Sequence, residues 1–329
     1  MEHLTARANL IADRPFPKDQ LAWTIATLAA KAASPDRAPV DDTLVATMIN
    51  HLIDNAALAA AALNHPPVIS ARDQALAHPY RRGATLFGLA PRRRISPEWA
   101  AWANGVAIRG PGRQGTGPTA GHLHLGDAIP GVVAVVQHCG LAGADLVRGL
   151  LAAHQAQANL PWGIYPHHPE ADGIDSLSLS IAAGIGAALQ LSVETMYRAV
   201  RLMPATSRQA SSVAFAGKMA VEVVDRSLRE GSGFSTGLGG ADGFIAPLPE
   251  TRGPVDQTPA DPAQPGTRPS SMARFRALVD GIVHPVEQDR FLALAARLPM
   301  LTAEEVICLG FQVNPDILQS GNPGLFDRV

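Results

Sequence analysis

Apolar residues recur at helical spacing through much of the chain. In residues 41–63, Leu44, Met48 and Leu52 follow one another four positions apart. A second apolar row lies beside them, formed by Val45, Ile49 and Ile53. A stripe this wide is typical of a helix that buries one face, and the run of alanines after it suits close packing against another helix.

Three further segments show the same period. Residues 143–160 predict a helix that ends before Pro161, and residues 180–191 predict a core helix rich in small residues. The latter is too short and too interrupted to span a bilayer. Residues 213–231 predict a helix that stops at Gly231 and carries three large apolar side chains on one face: Phe215, Met219 and Val223.

Helix boundaries are marked by residues that cap exposed backbone groups. Ser96 followed by Pro97 predicts a helix start, because Ser accepts from free backbone N–H groups and Pro suits the first helical position. Thr302 with Glu305 has the spacing of a capping box, which predicts a helix near the C-terminus. We find no strand-rich region in the pattern.

The composition changes at residues 247–271, which are rich in Pro, Gly and polar residues and lack apolar periodicity. Such composition predicts a linker or disordered loop. Helical patterning returns in residues 272–299. The pattern as a whole therefore predicts an all-α fold, one helical domain crossed by one long exposed loop.

Composition and charge exclude several classes of function. The 329 residues include 27 Lys and Arg against 29 Asp and Glu, which gives no electrostatic reason to expect nucleic acid or an anionic membrane as partner. Two short basic runs, Arg81–Arg82 and Arg92–Arg94, are interpreted as a solvated face or a subunit contact. Without a signal pattern or a membrane-length apolar run, a cytoplasmic protein is expected.

The two cysteines, Cys139 and Cys308, stand in apolar surroundings. They cannot form a disulfide framework or a Cys-rich metal site, so we interpret them as buried inert thiols.

Polar groups able to do chemistry concentrate in two glycine- or proline-rich segments. Residues 105–130 contain Thr116, His122, His124 and Asp127, where His-x-His followed by Asp could bind a divalent metal. The alternative is a structural loop in which His124 is merely hydrogen-bonded. In the second segment, 162–175, the functional candidates are His167 and His168, and the alternative is an ordinary surface loop.

Several stretches together resemble the 2-methylcitrate dehydratase family (MmgE/PrpD). They are QLAWTIA, NHLIDNAALAAAALN, PVISARDQALAHPY, GATLFGL, SPEWAAWANGVAIR and AFAGKMAVEVVDRSLR. The resemblance implies a helical domain built from both ends of the chain, with an α/β lid domain inserted between them. Residues 1–246 would then form its N-terminal part and 272–329 its C-terminal helices. The linker 247–271 stands where the lid would be.

The resemblance also implies chemistry without metal or organic cofactor. Family members remove a proton next to a carboxylate in di- or tricarboxylates such as 2-methylcitrate. Matched to the family's loop pattern, Thr116, His124 and Asp127 are the expected catalytic residues. Arg109 takes the position of the family's Arg, and we count it as substrate-binding. His167 matches a His of close relatives, and His168 beside it is a further substrate-binding candidate.

This sequence departs from the family pattern where acid–base groups are expected. Gly112 and Gly115 occupy the two Asp positions of the loop, while Leu125 and Ala128 replace the family's Pro and Asn. The downstream family His falls on Gly173 or Ser176, depending on the alignment. The Lys-bearing stretch before AFAGKMAVE is deleted, and Lys218 belongs to the following helix.

We therefore expect a hydro-lyase of the 2-methylcitrate dehydratase type with impaired activity. The alternatives are a catalytically silent paralogue that acts as a helical dimerisation or interaction module, and a changed activity using His122, His124, His167 or His168. The resemblance implies a homodimer, and a full-length relative is a further possible partner.

Overall fold

A computed structural model describes residues 20–34, 41–109, 125–159, 176–203, 212–229 and 270–325. Helices dominate these ranges, as the sequence predicted. They are α1 (Gln20–Ala33), α2 (Asp42–Ala62), α3 (Pro66–Leu76), α4 (Pro97–Ala107), α5 (Ile129–Cys139), α6 (Gly143–Asn159), α7 (Ser176–Ala188), α8 (Val193–Arg201), α9 (Val213–Arg229), α10 (Ser271–Val279), α11 (Pro285–Ala296) and α12 (Ala303–Ile307). Three short 3₁₀ turns, Leu125–Ala128, Leu298–Met300 and Pro315–Ile317, and one strand, β1 (Pro79–Ala84), complete this part of the chain.

Helix α2 forms where the apolar stripe predicted it. Asp41 caps its N-terminus by accepting from the Thr43 backbone N–H at 2.8 Å. The buried face carries Met48, Leu52 and Ile53 and continues into the alanine run. Helix α10 packs against α2, and their contact includes an ion pair between Asp54 and Arg274 at 2.5 Å.

Among the described helices, only α2 is long and apolar enough to cross a membrane by length and composition. It packs against α4, α10 and α11 and contributes to the main hydrophobic core. Such burial is what a core helix of a soluble protein shows, so α2 is weak evidence for a membrane span.

Helices α6 and α7 approach each other closely through small residues, as predicted from the composition of 180–191. A Cβ added to Gly184 would lie 2.7 Å from the Gly149 carbonyl oxygen, and one added to Gly149 would lie 2.8 Å from that of Gly184. Both distances are shorter than ordinary van der Waals contact. The two glycines therefore permit the backbones to touch.

Two buried amides join the segment after β1 to the helices. Asn104 of α4 accepts from the Phe87 backbone N–H at 3.0 Å and donates to the Thr85 carbonyl at 2.9 Å. Gln137 of α5 accepts from the Thr85 N–H at 2.9 Å and donates to the Val306 carbonyl at 2.9 Å. These bonds satisfy backbone groups that would otherwise be costly to bury.

Strand β1 and its partner were missed by the sequence reasoning. Pro79 and Ala84 each form an antiparallel bridge with Ile95. Four of the six strand residues are exposed, so no alternation of apolar and polar residues marks the strand. Helices α1, α3, α5 and α8 were likewise not predicted individually.

The capping predictions have different outcomes. Thr302 and Glu305 form the predicted capping box, with both reciprocal bonds present. Ser96 does occupy the N-cap of α4, but its hydroxyl binds the Glu98 carboxylate at 2.8 Å and caps no backbone N–H.

The interpretation of both cysteines as buried thiols was wrong. Cys139 is exposed, because α5 ends there and Gly140 turns the chain with a φ of 65°. Cys308 is partly buried and packs against the core. Of the predicted linker 247–271, residues 247–269 lie outside the described residues, so the segmentation of the chain remains a prediction.

We predict that Gly184→Ala lowers the free energy of unfolding by about 1–3 kcal/mol, because the new methyl group overlaps a backbone carbonyl that cannot move away. Gly310→Ala is the control, since a Cβ there meets nothing within 4 Å. That variant should stay within about 0.5 kcal/mol of the parent. Chemical denaturation measures both, and equal stabilities would contradict the close-packing argument.

Candidate functional site

The 3₁₀ turn Leu125–Ala128 lies where several helices meet. It contacts α2, α5, α6, α7 and α9. Asp127 and Ala128 are both buried, and the Asp127 side chain is 0% exposed. A turn in such a position cannot use water to satisfy its polar groups, so protein groups must do so.

Asn55 of α2 supplies one of these partners. Its Nδ2 donates to the Gly126 carbonyl at 2.7 Å, and Asn55 itself is buried. Gly126 is needed at this point, since an added Cβ would lie 2.9 Å from the Asn55 Oδ1 atom. The Asn55 amide therefore holds the turn against α2.

Arg109, which precedes the segment 110–124, supplies a second partner for the turn. Its Nη2 donates to the Asp127 Oδ2 at 2.8 Å. The Arg109 side chain is 35% exposed, whereas that of Asp127 is not exposed at all. The pair therefore joins a fully buried carboxylate to a guanidinium that still reaches solvent.

The position of this pair along the chain gives it a clear structural role. Arg109 lies two residues after the end of α4, and Asp127 lies in the turn that leads into α5. The ion pair thus connects the two ends of the segment 110–124, which contains Thr116 and His124. Within a fold that buries Asp127, it holds both ends of that segment in one place.

Two of the six predicted site residues are brought together, namely Arg109 and Asp127. The other four, Thr116, His124, His167 and His168, lie outside the described residues, as does His122. Their predicted roles therefore stay predictions. The direct pairing of Arg109 with Asp127 was not foreseen, because it depends on a contact between groups 18 positions apart.

Lys218 lies in a different environment, on α9. Its Nζ atom is 3.7 Å from the centroid of the Trp99 ring and 3.5 Å from Glu222. Trp99 in turn stacks on His78, with centroids 4.3 Å apart and rings 4° from parallel. This cation–π contact between Lys218 and Trp99 joins α9 to α4.

A separate cleft of about 670 Å³ lies between α3 and residues 320–325. Asp73 at its wall accepts from the Gly321 backbone N–H at 2.7 Å. The cleft shares no lining residue with the Arg109–Asp127 pair. In the described ranges, no group of three or more His, Cys, Asp or Glu residues is arranged to hold a metal ion.

The model of the MmgE/PrpD N-terminal domain matches residues 26–253, more than half of the chain. The chain belongs to the MmgE/PrpD family. The match includes Arg109, Asp127 and Asn55, and it agrees with the resemblance inferred from the sequence and with the all-α fold.

The stretches that carry this family resemblance mainly supply the framework. Asn55 of NHLIDNAA holds the turn before α5, and Thr85 and Asn104 hold the segment after β1. Arg72 of PVISARDQA is buried and donates to the backbone carbonyls of Leu63 and Gln319. Burial lowers the pKa of Arg72, and neighbouring Asp73 partly opposes that shift.

We predict an asymmetric response when the ion pair is broken from either side. Arg109→Gln leaves the buried Asp127 carboxylate without its cation and should cost about 1–3 kcal/mol, below the range for a fully buried pair because Arg109 reaches solvent. Asp127→Asn places a neutral isostere in the same space and should cost less. Urea unfolding of both single variants and the double variant measures the coupling. Additive effects would show that the pair contributes no joint stabilisation.

We also predict that Lys218→Met lowers the free energy of unfolding by about 0.5–2 kcal/mol, through loss of the contact with Trp99. Lys31→Met is the control, because Lys31 is exposed in the last turn of α1. Thermal unfolding at one pH compares the two. A larger effect at Lys31 would refute a structural role for Lys218.

Proposed function

We propose that this protein is a 2-methylcitrate dehydratase-like hydro-lyase of low activity, acting on a di- or tricarboxylate without metal or cofactor. The observation that carries the proposal is the match of the chain to the MmgE/PrpD family, and the Arg109–Asp127 ion pair supports it. The ion pair fixes both ends of the segment that holds Thr116 and His124. The same pair places a partly exposed guanidinium beside that segment.

Each proposed role follows from the chemistry of the side chain. Arg109 uses Nη2 for Asp127, and a guanidinium has five N–H donors, so others remain for a substrate carboxylate. Asp127 was expected to be catalytic. Its complete burial against Arg109 favours a positioning role, in which the carboxylate orients the guanidinium and does not itself transfer the proton.

The elimination needs one base and one acid. We assign the proton transfer to His124, which would remove a proton from the carbon next to a substrate carboxylate. The electron pair of that C–H bond forms the alkene, and the neighbouring C–O bond breaks. The hydroxyl leaves as water after gaining a proton, which we assign to the Thr116 hydroxyl, and that hydroxyl then regains a proton from solvent. His167 and His168 would bind the remaining carboxylates.

The low activity follows from the residues that the loop lacks. Gly112 and Gly115 stand where the family pattern has carboxylates, and the Lys-bearing stretch before α9 is missing. Removing one acid–base group typically slows a reaction by a factor of about 10²–10⁴. Several such losses together reduce turnover to a small fraction of that of a complete family member.

The second candidate function is a catalytically silent helical module, active as a homodimer or in complex with a full-length relative. The observation that favours it is that the described family motifs mainly hold the framework. A protein that had lost its chemistry would still need those contacts to fold. Under either function we propose a cytoplasmic location.

The test is turnover of 2-methylcitrate, followed by the ultraviolet absorbance of the conjugated alkene product. We expect slow turnover in the parent and a further drop of about 10²-fold or more in His124→Ala. His65→Ala is the control, because His65 precedes α3 and lies outside the proposed site. It should leave the rate unchanged.

Binding separates the two candidate functions. A thermal shift with 2-methylcitrate that disappears in Arg109→Gln would support the substrate-binding role even where turnover is slow. If the parent shows no turnover and no thermal shift, the lyase proposal is overturned in favour of the silent module. Size-exclusion chromatography with light scattering would then test the homodimer.

A further inference from the structure

The two basic runs of the sequence lie on neighbouring backbone segments in the folded protein. The Tyr80 backbone N–H donates to the Arg94 carbonyl at 2.9 Å, and Ile95 bridges both Pro79 and Ala84. These contacts bring the strand that carries Arg81 and Arg82 beside the segment that carries Arg92–Arg94. Their separation of about ten positions in the sequence conceals this pairing.

One of the five arginines is used inside the fold. Arg94 donates from Nε to the Gly83 carbonyl at 2.8 Å and from Nη2 to the Gln137 carbonyl at 3.1 Å. Burial lowers the pKa of Arg94, and the neighbouring charge of Arg82 lowers it further. Arg94 thus fixes the backbone to which the others belong.

The remaining four, Arg81, Arg82, Arg92 and Arg93, are exposed, and we call them the arginine surface. Within the described ranges, none of the four forms an ion pair. Three exposed arginines elsewhere do have acidic partners. Arg229 pairs with Asp225, Arg276 with Asp289 and Arg297 with Glu305.

Two carboxylates lie near the arginine surface, but within the described ranges neither forms an ion pair with it. Glu98 accepts from the Ser96 hydroxyl, and Asp225 pairs with Arg229 near Tyr80. The pKa of His138 is lowered, chiefly by burial. A hydrogen bond with the Arg82 backbone and the charge of Glu98 oppose that shift, while the charges of Arg82 and Arg94 add to it. The Tyr80 ring lies 5.3 Å from that of His138 and is 50% exposed, which adds an aromatic face beside the four cations.

We propose that the arginine surface binds an acidic segment of a partner protein. Guanidinium groups pair with carboxylates through two parallel hydrogen bonds, and four of them on two neighbouring segments match a run of Asp and Glu side chains. The exposed Tyr80 ring offers contact area of the kind enriched at protein interfaces. This inference does not depend on the proposed enzymatic function.

Two other occupants fit less well. The chain has a net charge of −2 and a pI of about 6.6, far from the strongly basic character of nucleic-acid-binding domains. A symmetric dimer through this face would place the arginines of one copy against those of the other, because a two-fold interface uses the same patch on both. Like charges directly opposed would destabilise that contact.

The test uses a fluorescein-labelled peptide of ten glutamates, titrated by fluorescence anisotropy at low ionic strength. We expect the parent to bind it, and Arg81→Gln with Arg82→Gln to weaken binding about threefold to tenfold. Arg92→Gln with Arg93→Gln should have a similar effect. The four-residue variant should show no measurable binding. All positions are exposed, and far-ultraviolet circular dichroism would check that each variant keeps its helices.

The matched control is Arg276→Gln with Arg297→Gln, which removes the same charge from exposed sites on another part of the fold. Unchanged peptide binding in this control supports the proposal. An equal loss in the control would show a general charge effect and overturn it. The absence of peptide binding to the parent would overturn it too, as would tighter binding of an oligothymidine of equal charge.

Discussion

Burial of the turn Leu125–Ala128 is the constraint on which the candidate site depends. A turn enclosed by five helices must have its polar groups satisfied by protein atoms, and a buried carboxylate is costly without a cation. Asn55 meets the first requirement and Arg109 the second. Because Arg109 follows α4 and Asp127 precedes α5, satisfying the buried charge also fixes the ends of the intervening segment. The Arg109–Asp127 ion pair thereby anchors both ends of the segment that contains Thr116 and His124.

Framework and chemistry are divided between different parts of the chain. The buried amides of Asn55, Asn104 and Gln137 bind backbone groups of other elements, and they operate whether or not a substrate is present. The residues that differ from the family pattern, such as Gly112 and Gly115, fall in the segment between Arg109 and Asp127. Changes there leave these framework contacts in place. The fold of an MmgE/PrpD helical domain is therefore compatible with either function proposed above.

The sequence predicted those features that depend on local pattern. Helix α2 was found from its four-residue period, the Thr302–Glu305 capping box from its spacing, and the close approach of α6 and α7 from small residues. Strand β1 was missed because most of its residues are exposed and its partner is the single residue Ile95. The exposure of Cys139 depends on where α5 ends. The pairing of Arg109 with Asp127 depends on a tertiary contact. Neither leaves a periodic signal in the sequence.

The ion pair also changes what the presence of Arg109 and Asp127 means. Both match the family's loop pattern, and on the sequence alone both were interpreted as site residues. In the fold, the Asp127 carboxylate is fully buried and needs Arg109 whether or not a substrate is bound. A silent module would require this pair as much as an enzyme does. The pair therefore indicates an intact framework and does not by itself distinguish an enzyme from a silent module. That distinction rests on the proposed acid–base residues, of which His124 is the first to test.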